Sequence, residues 1–229
     1  MKRCLLICEG PFDELIFSIL RDVFNDALFE IKPLCHCCLD VTDLEENVEK
    51  IVGEILAKEH GYSRDDFDEV CFLVDSDGIF INNELIIENK ALSRADYKMT
   101  SIECPDKKSI ELRNKKRVGN IDKLLSKKEH FIFYNSRNLE HAFDESMSGH
   151  LRDILKKRFS LDIFRKYESD KKMFIEKLAL MNKSNQINIF KSWDFLRKDV
   201  NSLSSCSNIF IFLVMHYYAL KDEYKPLKL

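Results

Sequence analysis

Two short apolar segments, each ended by acidic residues and a glycine, constrain the fold of this chain more than any other feature. Residues 4–8 (Cys-Leu-Leu-Ile-Cys) precede Glu9-Gly10, and residues 70–74 (Val-Cys-Phe-Leu-Val) precede Asp75-Ser76-Asp77-Gly78. An apolar run of this length, bounded by turn residues, is typical of a strand buried on both faces, as in a parallel sheet. We therefore predict two central strands that end in carboxylates.

Helical patterns follow these strands. Apolar residues recur at helical period from Leu15 to Leu28, and Pro11 suits the first turn of such a helix. A second strand is predicted over residues 29–39, and a helix follows from the capping-box sequence that starts at Thr42. Strands that alternate with helices in this way predict a parallel sheet with right-handed crossovers.

The second half of the chain is predicted to be mainly helical. Residues 84–92 are expected to form a helix, residues 97–103 a strand, residues 110–125 a helix with a basic face, and residues 131–134 a fourth strand. The predicted fold class is α/β, with a mostly parallel four-stranded sheet flanked by helices and a C-terminal helical extension. The boundary is placed between residues 1–137 and residues 138–229.

Charge is distributed unevenly along the chain. Residues 1–104 hold 10 Lys/Arg against 23 Asp/Glu, a net charge of −13, whereas residues 105–229 hold 26 against 16, a net charge of +10. An acidic half can hold metal ions and a basic half can hold phosphates, so the asymmetry suits a polyanionic ligand. Two solvated faces that attract each other would produce the same pattern.

The cysteines and apolar runs favour a cytoplasmic protein with reduced thiols. The N-terminal apolar stretch ends at Glu9, too early for a signal peptide, and residues 209–215 are too few to span a membrane. No membrane partner is expected. The run Cys35-His36-Cys37-Cys38 lacks Cys-x-x-Cys spacing and would alternate across a strand, so we predict buried thiols there rather than zinc ligands.

The acids at the strand ends predict a divalent metal site. Ligands in doubly wound sheets sit outside the carboxyl ends of the strands, and Gly10 and Gly78 would let the chain turn sharply there. Carboxylate oxygens from separate loops are the hard ligands that Mg²⁺ prefers. We therefore predict that Glu9, Asp75 and Asp77 bind Mg²⁺ or Mn²⁺.

The same residues carry a resemblance to a known family. Glu9-Gly10-Pro11-Phe12-Asp13 resembles the Glu-Gly-x-x-Asp motif of the Toprim domain, and Asp75-Ser76-Asp77 resembles its Asp-x-Asp motif, in the same order. Further along, Asn135 to Glu140 is similar to the Ser-Asn-x-x-x-Glu signature of RloB-like proteins, although Arg137 intervenes. The resemblance is to the OLD-like and RloB-like anti-phage nucleases, and it covers about residues 1–135.

The resemblance implies a role for each matching acid. Glu9 would be a metal ligand or a general acid/base, and Asp75 and Asp77 would be metal ligands, so that these three carry the catalysis. Asp13 would be a further ligand, and Glu140 a ligand of a second metal ion. An acid in the first turn of a helix is also favoured by the helix dipole alone, which leaves an ordinary structural role open for Asp13 and Glu140.

The implied activity is metal-dependent hydrolysis of DNA or RNA, as a toxic effector of anti-phage defence. Basic residues of the segment 105–128 and Arg137 would hold the nucleic acid, and a solvated helix face is the alternative. The substrate-binding candidates are Lys107, Lys108, Lys115, Lys116, Arg117 and Arg137. His141 is expected on a helix surface.

Two other functions remain open. Asp75-Ser76-Asp77-Gly78 also fits the Asp-x-Asp-Gly motif of haloacid-dehalogenase-type phosphatases, with Asp75 as nucleophile, although that motif usually opens its domain. A Toprim-like subunit without catalytic activity is the third hypothesis. Since the chain has no Gly-rich nucleotide-binding motif with its lysine, ATPase activity would have to come from a partner protein. A homo-oligomer is compatible with each of the three.

Overall fold

A four-stranded parallel sheet lies at the centre of the computed structural model, which describes residues 1–35, 39, 53, 56, 62–126, 130–144 and 153–225. The strands are β1 Lys2–Cys8, β2 Phe29–Cys35, β3 Glu69–Asp75, β4 Ile86–Glu88, β5 Asp96–Tyr97, β6 Ile102–Cys104 and β7 His130–Asn135. The helices are α1 Pro11–Val23, α2 Lys107–Ser126, α3 Leu139–Phe143, α4 Asp153–Ser169, α5 Lys171–Met181, α6 Ile189–Leu196 and α7 Phe210–Met215.

The central sheet has the strand order β2-β1-β3-β7, and every pairing is parallel. In the register of its two inner strands, Cys4 is opposite Glu69 and Cys8 is opposite Leu73. The predicted α/β class, with helices flanking a parallel sheet, is therefore confirmed. The helix predicted from Thr42 and the Cys-rich run after Cys35 fall largely outside the described residues.

The first helix matches its predicted start but not its predicted end. Pro11 occupies its first turn, and Ile16 and Leu20 are buried against the sheet. The helix ends at Val23, because Phe24 turns extended, with φ −89° and ψ 156°. Leu28, predicted on the apolar stripe, is in the following turn and is 43% exposed.

Residues 84–92 do not form the predicted helix. Ile86 begins a short strand that pairs in parallel with Ile102, and the predicted strand over residues 97–103 is interrupted by a turn in which Lys98 N–H donates to the Ser101 carbonyl at 2.9 Å. The strands β4, β6 and β5 form a separate three-stranded sheet in that order. β-Branched residues favour strands. Ile86, Ile102 and Leu203 are buried together and give this sheet a small core of its own.

The C-terminal helices pack against the central sheet. Trp193 is fully buried, and its indole N–H donates to the Ile132 carbonyl at 2.9 Å. Phe212 meets Phe133 edge to face with ring centroids 5.6 Å apart. The helices and the sheet thus share one hydrophobic core. The boundary placed after residue 137 stays a prediction. In the ranges that the structure describes, no helix has both the length and the apolarity needed to cross a membrane.

Candidate metal centre

The sequence-predicted acids follow the carboxyl ends of adjacent strands. Glu9 comes directly after β1, and Asp75 is the last residue of β3, its parallel neighbour. Asp75 is in turn opposite Asn135, the last residue of β7. Because parallel strands end at one edge of a sheet, the loops that carry Glu9 and Asp77 and the loop that leads to Glu140 all leave from this edge.

Asp13 closes the turn between β1 and α1. Its side chain is only 3% exposed, and its Oδ2 accepts a hydrogen bond from the Gly10 backbone N–H at 2.8 Å. Burial is the main reason that the pKa of Asp13 rises to about 7, and the nearby charge of Glu140 raises it further, against hydrogen bonds from Gly10 and Glu9. Asp13 therefore has a structural role as a cap and also faces another acid of the site.

The negative charges of three other predicted acids act on Asp75. Burial raises its pKa well above the ordinary range, and the negative charges of three neighbouring carboxylates add to the rise. A hydrogen bond from Asn135 Nδ2 to Asp75 Oδ1, at 3.0 Å, opposes this shift. In order of their effect, the three neighbours are Asp13, Glu9 and Asp77. These acids are thus close enough to repel one another.

Asp77 lies in a tight left-handed turn. Its φ is +48° and that of Gly78 is +67°, a conformation that Asp tolerates and Gly adopts freely. A Cβ atom at Gly78 would lie 2.5 Å from Leu203 Cδ2, so the loop packs closely on the C-terminal segment. The glycine after the Asp-x-Asp pair is therefore required by both backbone angle and space.

Arginines from α2 hold the Asp77 loop. Arg117, which is 5% exposed, places Nη1 2.8 Å from Asp77 Oδ2, and Arg113 Nη2 donates to the Asp77 carbonyl at 3.1 Å. Arg117 was predicted as part of a nucleic-acid surface. The structure instead shows it pairing with one of the acids, so its charge offsets part of the carboxylate cluster.

Arg137 and His141 are buried beside the site rather than displayed on a surface. Arg137 is 4% exposed, packs over the Tyr97 ring at 5.3 Å and lies 3.3 Å from His141 Nε2. His141 is 1% exposed, so the expected surface position is wrong. Burial, together with the charge of Arg137, lowers the pKa of His141 to about 3, and the ring is neutral at physiological pH.

Hydrogen bonds from the C-terminal segment fix the two loops that carry the site. The buried Ser76 hydroxyl donates to the Ser136 carbonyl, and Ser136 in turn donates its hydroxyl to the Ser204 carbonyl. The Ser136 backbone N–H donates to the Cys206 carbonyl at 2.9 Å. Sequence reasoning missed these serines, because only the tertiary pairing reveals what they connect.

The carboxylates do not form a tight cluster of ligand atoms. Among the residues that the structure describes, only one group of three or more His, Cys, Asp or Glu brings its ligand atoms within 4.8 Å of one another, and it consists of Cys4, Glu69 and Cys71. That group is at the opposite edge of the sheet. The carboxylate oxygens at the acidic edge come from several loops. They lie farther apart than the ligand atoms of a closed metal site.

The remaining basic candidates lie along α2. Lys108, Lys115 and Lys116 are exposed, and Lys107 is half-buried with its Nζ 3.9 Å from Glu111. Lys108 and Lys115 line a groove between α2 and the loop after β3, together with Ile79 and Asn83. This groove adjoins the loop that carries Asp77, because Ile79 follows it by two residues.

No protein-family model, curated protein or solved structure matches this chain.

Proposed function

We propose that this protein is a Mg²⁺- or Mn²⁺-dependent nuclease of the Toprim type that hydrolyses phosphodiester bonds in DNA or RNA. The observation that carries the proposal is the convergence of charge on Asp75, whose pKa is raised by burial and then by Asp13, Glu9 and Asp77. Acids that repel one another at the carboxyl edge of a parallel sheet need a cation, a proton or both. A divalent ion supplies the charge that the site lacks.

The donor set fits a hard divalent ion. Every candidate ligand is a carboxylate, and the wide spacing suits Mg²⁺, which keeps several waters and takes one or two protein carboxylates together with substrate phosphate. The residues that would hold it are Glu9, Asp13, Asp75 and Asp77, with Glu140 beside Asp13. When bound, such an ion activates water and neutralises charge on the scissile phosphate.

The protein's own groups complete the proposed site. Glu9, half-buried at the end of β1, is the acid/base candidate that the Toprim resemblance implies. Arg113 and Arg117 hold the Asp77 turn and add positive charge on the side of the site that faces α2. Lys108 and Lys115 line the adjoining groove, where a phosphate backbone would gain Coulombic attraction.

The test is a cleavage assay with Mg²⁺ or Mn²⁺ over DNA, ribosomal RNA and tRNA. Glu9→Gln and Asp77→Asn should each lower the cleavage rate by about 100-fold or more, since each removes a ligand charge without changing side-chain size. Asn also tolerates the left-handed turn at residue 77. The matched control is Asp162→Asn, an exposed acid on α4, which should cleave at the wild-type rate.

The outcomes separate the competing functions. Retained cleavage in Asp77→Asn would show that the acidic edge is not the active site. Nucleic-acid binding without cleavage, alone or with an added ATPase partner, would favour a non-catalytic subunit. Turnover of small phosphoesters with an aspartyl phosphate at Asp75 would favour the phosphatase, although the raised pKa of Asp75 works against an ionised nucleophile.

The wider role follows from the same resemblance. A nuclease of this group would act as a toxic effector in anti-phage defence, with an ATPase partner or self-association as the means of control. Expression of the wild-type chain should then slow bacterial growth, whereas the Glu9→Gln variant should not. Equal growth of the two strains at equal protein levels would contradict a toxic activity centred on Glu9.

A further inference from the structure

Four buried polar side chains meet at the amino-terminal edge of the sheet, opposite the acids. Cys4 on β1 is directly across from Glu69 on β3, and Cys71 follows Glu69 by two residues, so all three point to the same face. His216, directly after α7, covers that face. The exposed fractions are 0% for both cysteines, 4% for Glu69 and 2% for His216.

The ligand atoms of three of these residues converge. One atom each from Cys4, Glu69 and Cys71 lies within 4.8 Å of the other two, and the two Sγ atoms are 3.5 Å apart. His216 Nε2 is 2.9 Å from Glu69 Oε1. These two atoms form a buried ion pair, and His216 lies outside the group of three residues whose ligand atoms are within 4.8 Å of one another. A metal ion bound by all four side chains would take the place of the proton that Glu69 and His216 share.

We propose that Cys4, Glu69, Cys71 and His216 form a closed, structural Zn²⁺ site. Two thiolates and an imidazole are soft or borderline ligands that favour zinc over Mg²⁺, and four protein ligands leave no position for water. In a tetrahedral site with Zn–S of about 2.3 Å, the two sulfurs lie about 3.8 Å apart, close to the separation here.

Charge supports the same assignment. Two thiolates and the Glu69 carboxylate would carry three negative charges, and Zn²⁺ leaves one uncompensated. Lys2 Nζ is 2.7 Å from Glu69 Oε2, the oxygen that faces away from His216, so its ammonium completes a neutral assembly. Buried ions are tolerated when they are paired in this way, and an outer partner such as Lys2 also orients the ligand.

A disulfide between the two cysteines fits less well. Neighbouring strands are about 4.8 Å apart and two residues along a strand span about 6.6 Å, so the Cα atoms of Cys4 and Cys71 are separated by roughly 8 Å. Disulfides need about 4.4 to 6.8 Å between these atoms. The sulfurs can approach each other around an ion without the movement of backbone that a covalent bond would require.

The site would fasten the C-terminal segment to the sheet. His216 stacks on Phe29 with ring centroids 4.4 Å apart, and Leu220 forms a bridge with Phe24 shortly after it. Glu9 is five residues along β1 from Cys4, roughly 16 Å away, so a metal ion here cannot share ligands with the acidic edge.

The experiment measures metal content by mass spectrometry in untagged protein purified under reducing conditions. Wild-type protein should hold one zinc per chain, and Cys71→Ser and His216→Gln should lose most of it. Cys206→Ser is the matched control, since Cys206 is buried in the same core but lies outside the cluster, and it should keep its zinc. A Glu9→Gln/Asp77→Asn double variant should keep it as well.

Cobalt substitution of the wild-type chain provides a measurement that does not depend on folding of a variant. Bound Co²⁺ should show the visible absorption of a tetrahedral ion and a near-ultraviolet band from thiolate-to-cobalt charge transfer. Folded wild-type protein with neither zinc nor these bands after exposure to either metal would overturn the proposal. So would loss of zinc in the double variant, or a Cys4–Cys71 disulfide in protein kept reduced.

Discussion

The carboxyl and amino edges of the central sheet, which are the two ends of its strands, are built on the same two strands but carry different chemistry. At the carboxyl edge, β1 and β3 lead into loops whose acids are partly exposed and spread apart. At the amino edge, thiols and a carboxylate lie within the strands themselves and are buried from solvent. The first arrangement suits an ion that shares its ligands with water and substrate, and the second suits an ion that is enclosed.

The difference follows from which part of the chain supplies the polar groups. Donors within paired strands are held in register by the ladder, so Cys4 and Glu69 cannot move apart. Donors on loops depend on packing from elsewhere, as with Asp77, which pairs with Arg117 and whose left-handed turn includes Gly78 against Leu203. Rigid placement favours a structural site, whereas loop placement leaves room for a substrate.

The largest expected difference between the edges is in stability. Removing zinc from the amino edge should lower the free energy of unfolding by about 5 kcal/mol or more, because metal binding to a closed site contributes directly to folding. Removing Mg²⁺ should cause no comparable loss. Urea unfolding of zinc-loaded and zinc-free protein, each with and without Mg²⁺, measures both effects. Equal urea midpoints in zinc-loaded and zinc-free protein would mean that zinc does not stabilise the amino edge.

The second expected effect is a pH dependence that arises at the acidic edge. The pKa of Asp13 rises from 3.8 to about 7 on folding, so the folded chain binds more protons than the unfolded chain within that window. Stability from this group is full below the lower value and falls as pH rises through the upper one, by about 4 kcal/mol in metal-free protein. Asp13→Asn keeps an oxygen acceptor for Gly10 and should flatten the curve.

Chemical unfolding across that pH range, with chelator present, tests this prediction. Asp162→Asn, which changes an exposed acid, should follow the wild-type curve. Added Mg²⁺ should restore stability at high pH in the wild type more than in Asp13→Asn. A wild-type curve that is as flat as that of Asp13→Asn would mean that the acids of this edge do not interact as the structure indicates.

A third prediction concerns the glycine of the acidic edge. Gly78→Ala should lower the free energy of unfolding by about 2 to 3 kcal/mol, since the added Cβ meets Leu203 and the backbone there has φ +67°. Gly119→Ala is the control, because that glycine is exposed on α2 and has nothing within 4 Å of an added Cβ. The control should be neutral or more stable by up to about 1 kcal/mol. Thermal unfolding of both variants measures the difference.

The smallest expected effect is on nucleic-acid binding beside the acidic edge. Lys115→Ala should weaken binding about equally for all sequences and reduce the slope of log affinity against log salt by about one. Lys90→Ala, which removes an exposed lysine paired with Glu88 outside the groove, should leave the slope unchanged. Titrations at several salt concentrations distinguish the two variants, and identical slopes would remove the groove from the proposed binding surface.

The sequence predicted the acidic edge better than the amino edge for a physical reason. Glu9, Asp75 and Asp77 each follow a wholly apolar strand, and the parallel topology that those strands imply brings their ends together. The burial of Arg117 was not predictable, because helical periodicity does not reveal which face of α2 meets the Asp77 turn. Arg137 lies in the short loop between β7 and α3, where there is no periodicity to use. His141 was misplaced for the same reason, since α3 has only five residues.

The cluster at the amino edge leaves almost no trace in the sequence. Cys4 and Cys71 look like core thiols within apolar strands, and Glu69 looks like an ordinary acid at a strand start. Only the register of β1 against β3 brings them together, and only the path of the C-terminal segment adds His216. The helix predicted over residues 84–92 failed in a similar way, because pairing of Ile86 with Ile102 outweighed the local pattern.

Hydrogen bonds along the outer side of β7 have a consequence for association. The Asn208 side chain accepts from the Tyr134 N–H at 2.6 Å, the Asn208 N–H donates to the Tyr134 carbonyl at 3.1 Å, and Asn135 forms a bridge with Ser207. An exposed strand edge invites pairing with another chain and aggregation, and here the chain's own C-terminal segment covers part of that edge. Truncation before Ser204 would expose the backbone groups of β7 and allow this strand to pair with another chain.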